Sequence, residues 1–150
     1  MSDWVHTFKG VVLASEYDGA SHMNSRMYVS RFDQATWSLL HAIGLTPATM
    51  RQQALRVAIV RQNYQFLKEL RGGELVQVRS GFLAVGQKYF RFLHQMHDEE
   101  SGALVATCDS VALQAGLQSH QSVPLPAALQ DKARQHLVVA DAPANALPQT

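Results

Sequence analysis

Between Met27 and Ile43 apolar side chains recur at spacings of three and four: Tyr28, Phe32, Ala35, Leu39 and Ile43 form a stripe, and Met27, Trp37 and Leu40 widen it. That period of about 3.6 predicts one amphipathic helix of roughly five turns. Asn24 and Ser25 stand where an N-cap belongs, and Gly44 stands just past the last apolar position, as a C′ glycine would. A helix apolar over so much of its circumference should be largely wrapped by other structure. Before it, Thr7 to Glu16 is short and β-rich, and it stops at the turn dipeptide Asp18-Gly19. From Arg56 onward the period falls to about two. Strands are predicted over Arg56 to Leu70, Glu74 to Val85, Gln87 to Asp98 and Ala103 to Ala115. The intervening loops, Arg71-Gly72-Gly73, Gly86-Gln87 and Glu99-Glu100-Ser101-Gly102, are too short for parallel crossovers, so they predict an antiparallel meander.

After about Gly116 the composition shifts toward Gln, Ser, Ala and Pro. Pro124 and Pro126 predict a short helix running through Gln130 to His136, and the residues from Asp141 read as a frayed tail. The expected organisation is a main domain over 1–115 and a C-terminal extension over 116–150, with no internal repeat. The fold class is α+β: a sheet of about five antiparallel strands with one helix across it. One helix cannot cover five strands, and long outer strands leave pairing edges, so self-association is the natural way to hide the remainder.

Composition narrows the function. The 150 residues are 47% hydrophobic and 17% charged, a globular mixture. Thirteen Lys plus Arg against twelve Asp plus Glu leave a formal charge of +1, which gives no global field for nucleic acid or an anionic membrane. Any anionic ligand must therefore meet a local basic cluster. A single cysteine, Cys108, excludes an intramolecular disulfide framework and argues against a structural zinc site. The start Met1-Ser2-Asp3-Trp4 has no signal-peptide pattern and no run approaches eighteen apolar residues, so a cytoplasmic, untethered protein is expected. His94 and His97 mimic a metal pair, but three residues apart on a strand they point to opposite faces; no metal is expected. Cys108, inside an apolar strand, reads as inert packing.

The segment Glu16-Tyr17-Asp18-Gly19-Ala20-Ser21-His22-Met23-Asn24-Ser25-Arg26-Met27-Tyr28, running into Phe32-Asp33-Gln34-Ala35, carries a family resemblance. It resembles the Asp-x-x-Gly-His-x-Asn-x-x-x-Tyr entry to the central helix in the 4-hydroxybenzoyl-CoA thioesterase-like branch of the hotdog superfamily. Phe66-Leu67-Lys68-Glu69-Leu70-Arg71-Gly72-Gly73-Glu74-Leu75 is similar to that branch's strand–turn–strand signature, and Arg79-Ser80-Gly81 to its following strand. The resemblance spans about Phe8 to Leu113. Ser21 stands where the family has glycine, a departure that touches backbone conformation and removes no reactive group.

The resemblance implies a hotdog fold, with the sheet wrapped around a long central helix, and hydrolysis of an acyl-CoA thioester to a carboxylic acid and free CoA. It implies that Asp18 attacks the thioester carbonyl or activates the water that does; a carboxylate can do either, as nucleophile or as general base. Without that context Asp18 reads as the closing side chain of an Asp-Gly turn. The helix N-terminus offers unpaired N–H groups and a positive dipole end to a developing oxyanion, with the Ser25 N–H the best placed. Asn24 is a cap, a positioner of the lytic water, or both; His22 orients Asp18, binds substrate or packs beneath the loop. Tyr28, Phe32 and Phe66 are core residues that can also line an acyl pocket, with Trp37 and Leu40 beside them in the core. Among Arg56, Arg61, Arg71, Arg79, Lys88 and Arg91, the candidates for the CoA phosphates are Arg79 and Arg91, against solvated strand positions.

No cofactor is expected, coenzyme A being part of the substrate. Hotdog sites form between protomers, so the resemblance also implies a homodimer, or a homotetramer built from it. Two other functions fit the fold: a hydratase or dehydratase, which uses a His and a carboxylate placed differently, and a non-catalytic acyl-thioester binding module.

Overall fold

A computed structural model describes residues 3–16 and 25–140. The chain runs β1 (Val5–Val11), a single 3-10 turn (Ala14–Glu16), α1 (Ser25–Ala42), α2 (Pro47–Gln52), β2 (Leu55–Phe66), β3 (Leu75–Val85), β4 (Tyr89–Asp98), β5 (Leu104–Gly116) and α3 (Ala127–Arg134). The strands form one five-stranded antiparallel sheet in the order β1-β3-β4-β5-β2. The α+β class and the strand count match the expectation.

α1 is 18 residues long and buries Tyr28, Arg31, Phe32, Ala35, Thr36, Leu39 and Leu40. These positions trace one helical stripe against the sheet. The first turns pack with Val12, Leu70, Val76, Val78, Met96, Val105, Ala106 and Cys108. The last turns pack with Phe82, Phe90, Phe92, Ala112, Leu125, Leu129 and Ala133. Gly44, at φ +87°, closes the helix: its N–H reaches His41 O at 3.0 Å and the Leu45 N–H reaches Leu40 O at 2.9 Å. A residue with a Cβ is strained there, which is why glycine ends the helix. α2 carries too few residues for a period to show, although Thr46 caps it by accepting from Thr49 N at 3.2 Å and Pro47 stands in its first turn.

One expectation fails. β2 does not pair with β3; it pairs with β5 over eleven registered positions, from Leu55↔Gly116 to Phe66↔Ala106. Only β3, β4 and β5 form a meander. β2 ends at Phe66 rather than Leu70, so the connection is the eight residues 67–74. Eight residues reach about 26 Å, ample for the three strand spacings, about 14 Å in all, that separate β2 from β3. The crossover is anchored along its path. The N–H groups of Leu67 and Lys68 reach Val105 O at 2.8 and 3.2 Å, Leu70 is fully buried, and Gly73 N–H reaches Val12 O at 3.0 Å.

Two further corrections concern side chains expected in the core. Trp37 is 44% exposed and Phe66 50% exposed. Trp37 lies off the buried stripe of α1, and Phe66 ends β2, whose outer edge no strand pairs among the described residues.

The C-terminal segment packs back onto the main body. Leu129 and Ala133 enter the second apolar cluster, and the chain after α3 bonds to β3 beyond the end of β1: Phe82 N–H to His136 O at 2.9 Å, Val138 N–H to Phe82 O at 2.8 Å. Gly81 permits this approach, since a Cβ there would lie 2.5 Å from Val138 Cγ1. No described helix is long and apolar enough to cross a membrane.

Candidate active site

Asp18, His22 and Asn24 lie outside the described residues; the described structure brackets them between Glu16 and Ser25. Ser25 is the first residue of α1 and is exposed. The first N–H groups of any helix lack intrahelical partners, so the start of α1 is a cluster of donors and of positive dipole end.

Aromatic side chains gather beside that end. Tyr28 is one turn in and 4% exposed; its hydroxyl donates to Lys68 O at 3.0 Å, tying the helix to the β2–β3 crossover. Burial pushes the Tyr28 phenol above its usual range. Phe66 meets the Tyr28 ring edge-on at 5.3 Å, and Tyr64 stacks parallel to Phe66 at 6.0 Å. Phe32, a turn deeper and 1% exposed, is core, stacked on His94 at 5.8 Å. Tyr28, Phe66 and Phe32 are thus gathered along one side of α1.

Arg79 and Arg91 are not. Val78 and Ser80 of β3, and Phe90, Phe92 and His94 of β4, face α1, which turns Arg79 and Arg91 to the other face of the sheet. There the Arg79 Nε–H donates to Gln95 Oε1 at 2.8 Å and its guanidinium lies 4.3 Å over the Trp4 ring. With His6, Gln77, His97 and Gly102 they line a depression of about 640 Å³. Arg91 forks onto Asp109 at 3.0 and 2.6 Å. Within one protomer these two arginines and Tyr28 serve opposite faces. His97 shares the outer face, so His94 and His97 do point apart, and no described group of His, Cys, Asp and Glu could hold a metal. Cys108 is buried, with its thiol pushed up by that burial.

Two features escaped the sequence reading. Arg31 sits inside the buried stripe of α1 at 6% exposure and grips Glu16, 8% exposed. Its Nη1 donates to Glu16 Oε2, and its Nη2 to Glu16 Oε1 at 2.8 Å and to Val11 O at 3.2 Å. The Arg31 bond holds the Glu16 carboxyl below the usual carboxylate range, against the opposing effect of burial. The signal was present: a cation at a position three after Tyr28 and one before Phe32 breaks an otherwise apolar stripe. The second feature is a buried polar chain between helix and sheet. Thr36 Oγ1 lies 2.8 Å from His94 Nε2, Ser80 Oγ is bonded to His94 Nδ1, and Thr7 Oγ1 lies 2.8 Å from Ser80 Oγ. His94 is fully buried, and burial lowers its pKa to about 3, so it is neutral.

Comparison with known proteins places this geometry. The profile of the thioesterase-like superfamily matches residues 12–133. A betainyl-CoA thioesterase of Pseudomonas aeruginosa is 26% identical over 124 residues, 83% of this chain and 78% of that one. Among solved structures, a Staphylococcus aureus protein in complex with CoA superposes with a TM-score of 0.85 at 14% identity, covering 94% of this chain and 92% of its own. A 1,4-dihydroxy-2-naphthoyl-CoA thioesterase from Synechocystis gives a TM-score of 0.76 at 18% identity, over 86% of this chain and 95% of its own. The match of a single family profile across α1, α2, strands β2 to β5 and most of α3, on a fold shared with those structures, shows that the chain belongs to the thioesterase-like superfamily and is a hotdog-fold thioesterase.

Proposed function

We propose that this chain hydrolyses acyl-CoA thioesters, releasing a carboxylic acid and free CoA, with Asp18 as the reacting carboxylate and α1 as the central helix of the hotdog. The observation that carries this is the family match over residues 12–133 on a chain in which Asp18, His22 and Asn24 directly precede the start of α1 at Ser25. In the nucleophilic route an Asp18 carboxylate oxygen adds to the thioester carbonyl, CoA leaves as thiolate, and water cleaves the acyl anhydride. In the general-base route water adds directly and Asp18 takes its proton. Both routes place negative charge on the carbonyl oxygen, and the Ser25 N–H at the helix start is the donor suited to it. His22 and Asn24 orient the carboxylate and the water.

Tyr28 and Phe66 supply an aromatic wall beside that start, with Phe32 below it, so the acyl group lies along this side of α1. Arg79 and Arg91 are the candidates for the CoA phosphates. Their face of the sheet is remote from Tyr28 in one protomer, so this role requires a second copy. A homodimer is also favoured by the outer edge of β2, which no strand pairs among the described residues and which exposes Ile59 at 41%, Val60 at 55% and Phe66 at 50%. Sedimentation at micromolar concentration checks it, a monomer counting against the shared site. The betainyl group of the Pseudomonas aeruginosa relative joins short-chain, medium-chain and aromatic acyl groups as a candidate substrate.

The test is free-thiol release from a panel of these CoA esters by the wild type and by Asp18→Asn, with folding checked by circular dichroism. Turnover that collapses at least about a hundredfold in the variant is the expected result. A wild type that binds the esters and releases no thiol would favour a binding module or a hydratase instead.

A further inference from the structure

The Arg31–Glu16 pair is built more heavily than a structural ion pair needs to be. The guanidinium spans three segments. It forks onto Glu16, reaches the last residue of β1 at Val11 O, 3.2 Å away, and returns to its own helix at Met27 O, 3.4 Å away. Phe8 of β1 lies beneath it, 5.5 Å from ring centroid to guanidinium carbon. Glu16 is held from the other side as well, because its Oε1 accepts from Leu13 N at 2.7 Å. A lysine could supply the charge but not the fork. A buried pair of this kind is weak evidence for stability, since an apolar pair of the same volume commonly does as well. What it does provide is a fixed position. Glu16 is two residues before Asp18, so their Cα atoms lie within about 7.6 Å of each other. Arg31 is six residues into α1, about 9 Å along the axis from the helix start. The pair therefore ties the point where the chain enters the 17–24 segment to the helix on which that segment ends.

We propose that Arg31 and Glu16 are positioning residues for Asp18: they clamp the chain two residues before the reacting carboxylate onto the helix whose N-terminus faces the thioester. The clamp rests on the hydrolase reading for its catalytic consequence and on geometry alone for its mechanical one. Its action is on Asp18, and it touches no substrate.

Four variants test it: the double variant E16Q/R31M, which leaves no uncompensated buried charge, Arg31→Lys, Asp18→Asn, and Leu39→Ala as a destabilised control in the core near the far end of α1. The double variant should lose at least about tenfold in kcat, with KM within about threefold of wild type, because misplacing a reacting group raises the barrier without weakening binding. Arg31→Lys should recover part of that loss, and Leu39→Ala should keep kcat at temperatures well below its melting transition. Hydrogen exchange read by mass spectrometry on peptides spanning 17–24 should quicken about tenfold in the double variant and stay at the wild-type rate in Asp18→Asn and Leu39→Ala. Unchanged exchange over 17–24 in the double variant overturns the clamp whether or not the enzyme turns over. A folded double variant whose kcat stays within twofold of wild type overturns its catalytic role. A wild type that releases no thiol from any ester overturns the hydrolase reading, and the exchange rates then decide the clamp by themselves.

Discussion

His94 gives this fold a calculable sensitivity to mild acid. The ring is fully buried between α1 and the sheet, with both nitrogens engaged by Thr36 and Ser80, Phe32 stacked on one face at 5.8 Å and Phe92 edge-on at 5.3 Å. No carboxylate is among those partners, so protonation would place a bare charge in the core; the pKa falls to about 3 from the ordinary 6.5. In the unfolded chain His94 protonates near pH 6.5. Between those two values the unfolded state binds the extra proton and the folded state does not. Stability therefore rises with pH through this window and is lost as pH falls below about 6.5. At pH 5 the loss from this residue is about 1.5 units times 1.36 kcal/mol, or about 2 kcal/mol relative to pH 7.5. Any folded-state value below about 4 gives nearly the same figure, because at pH 5 the folded His94 is then already neutral.

The comparison that isolates the effect is His94→Phe. Phenylalanine keeps the ring contacts and cannot titrate. Thr36 retains its bond to Phe32 O at 3.0 Å, and Ser80 retains Thr7 at 2.8 Å, so neither hydroxyl is orphaned. Urea unfolding followed by tryptophan fluorescence at pH 7.5 and at pH 5, at fixed protomer concentration, gives the two stability differences. The variant is expected to be weaker than wild type at pH 7.5 by about 1–2 kcal/mol for the lost hydrogen bonds. Its further loss on going to pH 5 should be smaller than that of wild type by about 2 kcal/mol. Contributions common to the two proteins cancel in this difference. Equal losses in the two proteins would refute the assignment of a neutral, uncompensated His94.

Three further outcomes are checked by the same unfolding assay. Tyr28→Phe removes the donor to Lys68 O and should cost about 1 kcal/mol, with no change expected if the crossover is not held there. Gly44→Ala forces a Cβ into a φ of +87° and to within 3.2 Å of Leu129 Cδ2, and should cost about 1 kcal/mol or more, whereas a helix that simply frayed at this end would tolerate it. Arg91→Met breaks a pair whose side chains are 45% and 26% exposed, so stability should move by less than about 1 kcal/mol. A rise in KM for CoA esters in that variant would assign Arg91 to the phosphates, and an unchanged KM would leave it to Asp109.

What could be read from the sequence was whatever rests on local periodicity. The stripe from Tyr28 to Ile43, the glycine that ends it, and β3, β4 and β5 with their tight turns are all set by neighbours within a few residues. The partner of β2 is not. Arg71-Gly72-Gly73 looks like a hairpin turn, and only the burial of Leu70 and the bonds from Leu67 and Lys68 to Val105 show that the strand has already ended. The same limit applies to Trp37 and Phe66, whose apolarity alone could not tell core from exposed surface. Arg31 and His94 were hidden for the opposite reason. Each is a polar residue on an apolar face, and its partner lies 15 residues away for Arg31 and 58 and 14 residues away for His94.

The non-local crossing has a consequence for chemistry. A hairpin between β2 and β3 would leave the first turns of α1 open to solvent on that side. By crossing instead, residues 67–74 bring Lys68 O to the Tyr28 hydroxyl, Leu70 into the cluster beneath α1, and Gly73 to Val12. Val12 adjoins the end of β1, where Arg31 holds Val11 O and, beyond it, Glu16. The end of β1, the crossover and the first two turns of α1 are thus bound to one another, and Glu16 and Ser25, the described residues on either side of the segment that carries Asp18 in the sequence, belong to this assembly. Among the described residues, the last turn of α1 is held by apolar packing and a glycine stop. Hydrogen bonds and an ion pair thus fix the entry to α1, where the proposed reacting carboxylate would have to be held against a carbonyl to within a fraction of an ångström, and a second polar chain, Thr36–His94–Ser80–Thr7, ties the middle of the helix to the sheet. Substitutions at the Phe82–Phe90–Leu129 end should accordingly act on stability and leave kcat alone, while those at the Tyr28–Lys68 and Glu16–Arg31 contacts should act on kcat beyond what their effect on stability explains.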